Sequence, residues 1–491
     1  MDNTFSEYFR LRRRTDPAGF EAAESGTVSR LSMKAARYAL LFLFLLAGCA
    51  GRPPVIADLA AYDQSAVDYI CDYTDGFPES ADFFSSSAAL FLERRFAPWN
   101  SGTSECPSTE FFKRIASARG KTLYGENLRI HDPRWIETLI TYMEPHRFPS
   151  HSIPALALHE TDLRVFPTCR PAFDDVYRAG KGYPFDRWQM STVFAGTPLM
   201  ILHETSAGDW LYVRTPFADG WVRSRDVGTV GSNTRKRLTG ENFVVPLRDR
   251  VPLNDDAGNF LFYARIGSIY SFASRVGESF RLEVAVSDGT GGTRLVKATV
   301  SRKDFSLFPL TMTPQAIARI ADAMADDPYG WGGMYGNRDC SAFLRDLFAG
   351  FGLWLPRNSF QQINEGEWIV PLGHLAPDEK ERLIIETALP FATILWMPGH
   401  VALYIGEREG RAMVLHVMWG VRRRTLLGED RVIVGGCAVT TLRAGIEHPG
   451  VRPADLLVSR IEAMRILVPR ERPAETDLQE ESTRDNVSRS F

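Results

Sequence analysis

No charge of one sign dominates this chain: 57 Lys and Arg stand against 60 Asp and Glu, a formal charge of −3 over 491 residues. Without a basic excess there is no electrostatic footprint for a polyanion, so nucleic acid is not an expected partner. Long apolar runs are scarce too. The stretch from Tyr38 to Ala47 falls well short of the ~20 residues that cross a bilayer, which excludes a multi-span membrane protein. Cysteine is limited to six residues, with no Cys-x-x-Cys and no His at zinc-ligand spacing from a Cys. A structural zinc site is therefore not expected, and nothing else asks for a metal. What is present, 44% hydrophobic and 11% aromatic residues, is the make-up of a folded chain with several cores. At ~150 residues per domain the length suggests about three domains.

The N-terminus carries a local signal. Lys34 and Arg37 precede the apolar run, which ends in Leu46-Ala47-Gly48-Cys49 and is followed by Arg52-Pro53-Pro54. A basic flank, a short apolar segment and small exit residues are the marks of an export signal. A buried core helix needs none of these flanks. The exit resembles a bacterial lipobox, which implies a lipid on the Cys49 thiol and an anchor facing the cell envelope. Ala50, rather than Asp, after that cysteine points to the outer membrane and its periplasmic face. Residues 1–32, with Arg12 to Arg14 and no apolar periodicity, lengthen the basic region beyond the usual, so translation is expected to start at Met33. An exported location permits disulfides, and Cys71 with Cys106 is a candidate pair.

Texture divides the rest. Residues 49–150 read as a helical domain, with Trp135, Ile136, Leu139, Ile140 and Met143 on one helix face. Residues 151–232 hold short apolar runs between turn signals, as at Trp210 to Arg214 and Trp221-Val222, and suggest a small β-barrel. Residues 233–310 repeat that texture, with runs at 243–245, 266–270, 280–286 and 295–300 read as strands. A last domain over 311–468 opens with a helix from Pro314 to about residue 325, N-capped by Thr313. The polar segment 469–491 reads as a flexible tail.

Chemistry concentrates at Pro328 to Gly333 and Asp339-Cys340-Ser341. A glycine-rich turn leads into Cys340, and Ala342, Phe343, Leu344, Leu347 and Phe348 then follow helical spacing. At a helix N-terminus, unpaired amides and the dipole favour thiolate over thiol. A nucleophilic thiol needs a base, and His400 and His416 lie on strand-like runs separated by the turn 407–410. If that hairpin folds about residue 408, His400 faces His416 across the ladder, with both imidazoles on one face. A lone cysteine is more often a small buried hydrophobe, and nine histidines dilute any choice among them. A buried structural cysteine, however, needs no flanking Asp and Ser, helix start and paired-histidine hairpin.

These residues resemble the NlpC-type cell-wall peptidases, papain-like cysteine enzymes of bacteria. The resemblance rests on Tyr329-x-Trp-Gly-Gly, Asp339-Cys340-Ser341, Leu355-Pro356-Arg357-x-Ser359 with Gln362, Gly399-His400-Val401 and the second histidine, His416. One departure is Ala342, where many members have Gly. The whole chain resembles a multidomain α+β subgroup: a helical N-terminal stabilising domain, two SH3-like barrels and a papain-like catalytic domain. The resemblance implies hydrolysis of the γ-D-glutamyl–diaminopimelate amide in peptidoglycan peptides. It assigns Cys340 as nucleophile, His400 as base, His416 as its orienting partner and the Tyr329 hydroxyl to the oxyanion. It also implies that Asp339 and Ser341 bind a free N-terminal L-Ala amine, although both residues can equally cap a helix. No cofactor is implied. The competing readings are an inert, lipid-anchored wall-binding scaffold and a related amidase or acyltransferase using the same Cys and His pair. Trp210, Tyr212 and Trp221 are candidates for the cleft wall, with core packing the commoner use of such residues.

Overall fold

The computed structural model describes residues 55–70, 77, 80–100, 108–426 and 428–469. The leader with Cys49, the Cys71 and Cys106 pairing and the C-terminal segment from residue 470 lie outside the described residues. Among the described residues no helix is long and apolar enough to cross a membrane.

The N-terminal region is helical: α1 spans Ala81–Asn100, α2 Ser108–Ala118 and α3 Pro133–Tyr142. Helix α1 shares no core cluster with α2 or α3. Helix α1 sends Phe91 into a cluster with Phe243, Val245, Ile269 and Ala349, residues of two other modules. Its Arg95 donates to the carbonyls of Gly196 at 2.9 Å and Ile269 at 3.0 Å. Helices α2 and α3 instead close the core of the first β module, where Phe111, Ile115, Ile136 and Ile140 meet Trp210, Tyr212 and Trp221. The three aromatic residues considered for the cleft are thus core residues.

That first module is a seven-stranded antiparallel sheet in the order β3-β2-β6-β5-β4-β1-β7. Its strands are β1 (Ile153–Ala157), β2 (Thr161–Arg164), β3 (Gln189–Val193), β4 (Pro198–Glu204), β5 (Trp210–Arg214), β6 (Asp219–Arg223) and β7 (Val227–Thr229). The second module holds β8 (Phe243–Pro246), β9 (Val251–Asn254), β10 (Phe260–Ala264), β11 (Tyr270–Val276), β12 (Ser279–Ser287), β13 (Thr293–Ser301) and β14 (Phe305–Leu307). The run at 266–270, expected as a strand, is a turn before β11, because Gly267 takes a left-handed φ of 97° and packs against Asp346.

The C-terminal domain opens with α4, Pro314–Asp322, capped as expected by the Thr313 side chain, which accepts from the Ala316 amide. Helix α5, Cys340–Ala349, buries Phe343, Leu344, Leu347 and Phe348 against a six-stranded sheet. The strands are β15 (Ile369–Pro371), β16 (Thr393–Met397), β17 (His400–Arg408), β18 (Arg411–Thr425), β19 (Gly428–Thr441) and β20 (Ala463–Ile466), ordered β15-β20-β16-β17-β18-β19. Apolar residues Val401, Leu403, Ile405, Met413, Leu415 and Val417 face the helix. This packing sets the start of α5 beside the start of β17.

Candidate active site

Helix α5 begins at Cys340 because Asp339 caps it, with one carboxylate oxygen accepting from the Ala342 amide at 2.9 Å. The sulfur accepts from the amides of Ser341 and Val401, which fixes it next to His400. Cys340 is 9% exposed, so little of the residue reaches solvent.

His400 Nε2 lies 2.9 Å from His416 Nδ1, and His416 Nε2 lies 3.1 Å from Thr440 Oγ1. Thr440 donates its hydroxyl proton to the Thr441 carbonyl, 3.0 Å away, so its oxygen can only accept from His416. The chain of bonds then has one solution. His416 carries its proton on Nε2, its Nδ1 accepts from His400 Nε2–H, and His400 is left with a lone pair on Nδ1. That is the tautomer of a base.

The hairpin register differs from the expected one by two residues. Leu403 pairs with Leu415 and Tyr404 with Val414, a bulge follows, and the turn falls at Glu409-Gly410, both with positive φ. A two-residue turn of this kind matches strand twist, and so it is preferred to a turn centred on residue 408. An offset of two keeps every side chain on its face, so the imidazoles still meet, diagonally instead of directly.

The electrostatics correct a second expectation. The helix start and paired histidines suggest a resting thiolate, but burial and then the Asp339 charge push the Cys340 thiol up to about 12. Burial, His416, Arg460 and Arg431 hold His400 well below the usual imidazole value. The resting pair is a neutral thiol beside a neutral imidazole. Burial and the Asp339 carboxylate hold Tyr329 well above the ordinary phenol value, and it therefore stays a proton donor.

Asp339 is saturated. Besides the Ala342 amide it accepts from Ser341 Oγ at 3.0 Å, the Gly332 amide at 3.0 Å, and Arg357 at 3.1 and 2.6 Å. Burial opposes its ionisation, but Arg357 outweighs this and keeps the carboxyl below its ordinary value. Ser341 Oγ also accepts from Arg357 at 2.9 Å. Asp339 and Ser341 thus serve as helix cap and guanidinium partner, the capping use that was open to them.

The first β module forms one wall. Gln189 Nε2 donates to the Gly332 carbonyl at 3.0 Å and Thr192 Oγ1 to the Gly333 carbonyl at 2.6 Å. Trp331 Nε1 donates to the Asp186 carbonyl at 2.9 Å, and Arg357 Nε to Ser191 Oγ at 2.8 Å. Tyr183 packs edge-on against Trp419, which also lies 5.9 Å from the Tyr329 ring. Of these, Arg357 lay within a recognisable motif but had no role assigned. Thr440, Trp419 and the 183–192 wall gave no sequence signal, because their spacing to the cysteine is set only by tertiary packing.

Fold and site together define a papain-like cysteine hydrolase: a helix-borne thiol packed on the antiparallel sheet that carries its histidines. Four family models match the sequence. They are the NLPC_P60 stabilising domain, N term, over 38–148; the SH3 domain of SH3b1 type over 171–223; the SH3 domain of SH3b2 type over 234–275; and the NlpC/P60 family over 326–425. The chain belongs to the NlpC/P60 family, in its multidomain form with two SH3-like modules. A solved NlpC/P60 endopeptidase from Photobacterium damselae subsp. piscicida shares the fold at 23% identity and TM-score 0.73, over 84% of this chain and 98% of that one. An NlpC/P60 family protein from Bacillus cereus ATCC 10987 is 17% identical with TM-score 0.44, over 64% of this chain and 100% of its own. No curated protein matches the sequence.

Proposed function

We propose that this cysteine peptidase cleaves peptidoglycan peptides at the amide between γ-D-glutamate and meso-diaminopimelate. The observation that carries the reading is the Cys340 sulfur held beside an imidazole whose tautomer is dictated by His416 and Thr440. With both partners neutral at rest, attack and proton transfer go together. The sulfur bonds to the carbonyl carbon as its proton passes to His400 Nδ1. The Tyr329 hydroxyl and the Cys340 amide donate to the oxyanion. Collapse breaks the C–N bond, with the His400 proton going to the leaving amine. A water, deprotonated by His400, then attacks the thioester carbon and returns the thiol.

The wall formed by residues 186–192 supports a preference for a short peptide with a free L-Ala N-terminus, since a longer chain meets the Gln189 and Thr192 contacts. Incubation with L-Ala-γ-D-Glu-meso-diaminopimelate, followed by mass, should give L-Ala-D-Glu and free diaminopimelate. Cys340→Ala should lower turnover by at least ~10³-fold with an unchanged circular dichroism spectrum. Binding without cleavage by the unmodified, reduced protein would show a scaffold, and a product carrying a second acceptor would show an acyltransferase. The lipobox resemblance at Cys49 supports an envelope location with a lipid anchor. Palmitate labelling that persists in Cys49→Ala would rule that anchor out.

A further inference from the structure

Arg95, on α1, is 7% exposed and carries its charge into the seam between the two β modules. Its Nη2 donates to the carbonyls of Gly196, which precedes β4, and Ile269, which precedes β11. Its Nε is buried with no hydrogen-bond partner among the described residues, and it forms no ion pair with any of them. Burial lowers its hold on the proton only to about 10, so the guanidinium stays charged at neutral pH. A buried cation without a counter-charge is costly, because carbonyl dipoles replace only part of the solvation that water supplied.

Other donors face the same place. Tyr270 Oη and Ser271 Oγ, at the start of β11, are likewise buried without a partner among the described residues. Burial, opposed by Ser268 and Arg95, pushes the Tyr270 phenol up to about 12, which keeps its proton in place. Arg95, Tyr270 and Ser271 line one cavity of about 30 Å³, whose wall also includes Phe96, Phe243 and Phe262. Glu283, the acid on that wall, already accepts from Arg237 at 2.9 Å. A single water needs roughly 10–15 Å³, so the cavity has room for a small guest. Water would satisfy the donors and leave the charge unmatched, whereas a monatomic anion does both. A phosphate would leave several of its oxygens against phenyl rings.

We propose that Arg95, Tyr270 and Ser271 form a buried halide site, occupied by chloride, at the junction of α1 with both β modules. The site is independent of the hydrolase reading. Because Arg95 also holds Gly196 and Ile269, the bound ion fastens α1 to both modules and links folding to chloride.

The test melts the full chain in sodium chloride, bromide and gluconate at equal ionic strength, and follows the linewidth of the chloride NMR signal. Either halide should raise the melting temperature by about 2 °C over gluconate, saturably. The chloride signal should broaden with protein and sharpen as bromide competes. Tyr270→Phe removes one donor, leaves the Arg95 bonds in place and should weaken the halide severalfold. Arg95→Gln should abolish both responses, whereas a merely structural Arg95 would lower the melting temperature equally in every salt. Equal melting temperatures in chloride and gluconate, no broadening that bromide reverses, or a response that both substitutions leave intact each overturns the site and leaves water in the cavity. If Arg95→Gln does not fold, Tyr270→Phe decides alone.

Discussion

Thr440 shows how much a single hydroxyl decides. Its proton goes to the Thr441 carbonyl, which forces the tautomers of both His416 and His400. Thr440→Val keeps the volume but removes the acceptor, leaving His416 free to take either tautomer. We expect kcat to fall about tenfold with KM little changed, because a merely structural loss would lower the folded fraction without favouring one constant. The same base sets the pH response. His400 is held below the imidazole value of 6.5. It therefore stays unprotonated as pH falls past that value, and the acid limb of kcat/KM should lie below pH 6.5. A limb at or above pH 7 would contradict the buried, neutral base. The nucleophile and both histidines were legible from residue type and spacing. Their protonation was not, since it depends on burial and on arginines brought in by β19 and the segment before β20.

The glycine-rich turn and the histidine hairpin are the elements that place the chemistry. Gly332 and Gly333 take φ of 58° and 84°, and a side chain at either would run into the Gln189 backbone or Thr192. The motif thus needs glycine for two reasons, conformation and contact with the first β module. Gly333→Ala should destabilise the protein by roughly 1–3 kcal/mol and lower kcat/KM, since the turn also supplies the Gly332 amide to Asp339. An unaltered melting temperature would contradict the close seam. From the sequence the turn was readable as a lead into a catalytic helix, but its second role needs a partner more than 140 positions away. The hairpin shows the reverse case. Alternation gave the correct face for both histidines, while the register depended on turn geometry and a bulge that alternation does not encode.

At the scale of the molecule, one buried ion network joins three modules. Arg338 pairs with Asp249 at 2.7 Å and Asp346 at 2.8 Å, and Arg265 pairs with Asp249 at 3.0 Å and Glu160 at 2.7 Å. Burial resists ionisation of Asp249, but Arg338 and Arg265 outweigh it and hold the carboxyl well below the ordinary value of 3.8. A carboxyl depressed in the folded state contributes stability above its unfolded pKa and loses it as pH falls. The Asp249 contribution should be constant above about pH 4.5 and shrink below about pH 4, so the melting-temperature difference between the unmodified protein and Asp249→Asn should narrow as pH falls through that range. Arg338→Met removes one of the two guanidinium partners of both Asp249 and Asp346, leaving Arg265 and Arg345, and should cost about 3–5 kcal/mol at neutral pH, measurable by urea denaturation. The domain order was legible in the texture of the chain. The lack of a separate core in the helical region was not, because α1, α2 and α3 look amphipathic whichever surface they cover.

Helix α1 has a consequence for how the molecule is made. A ribosome delivers Phe91, Arg95 and Trp99 before any of the surfaces that cover them, and Ala349 arrives some 250 residues later. Leu156 and Leu158 reach Trp99 first, Phe243 and Ile269 reach Phe91 later, and Ala349 closes that cluster last, so the nascent protein carries the greasy side of this helix partly uncovered through most of its elongation.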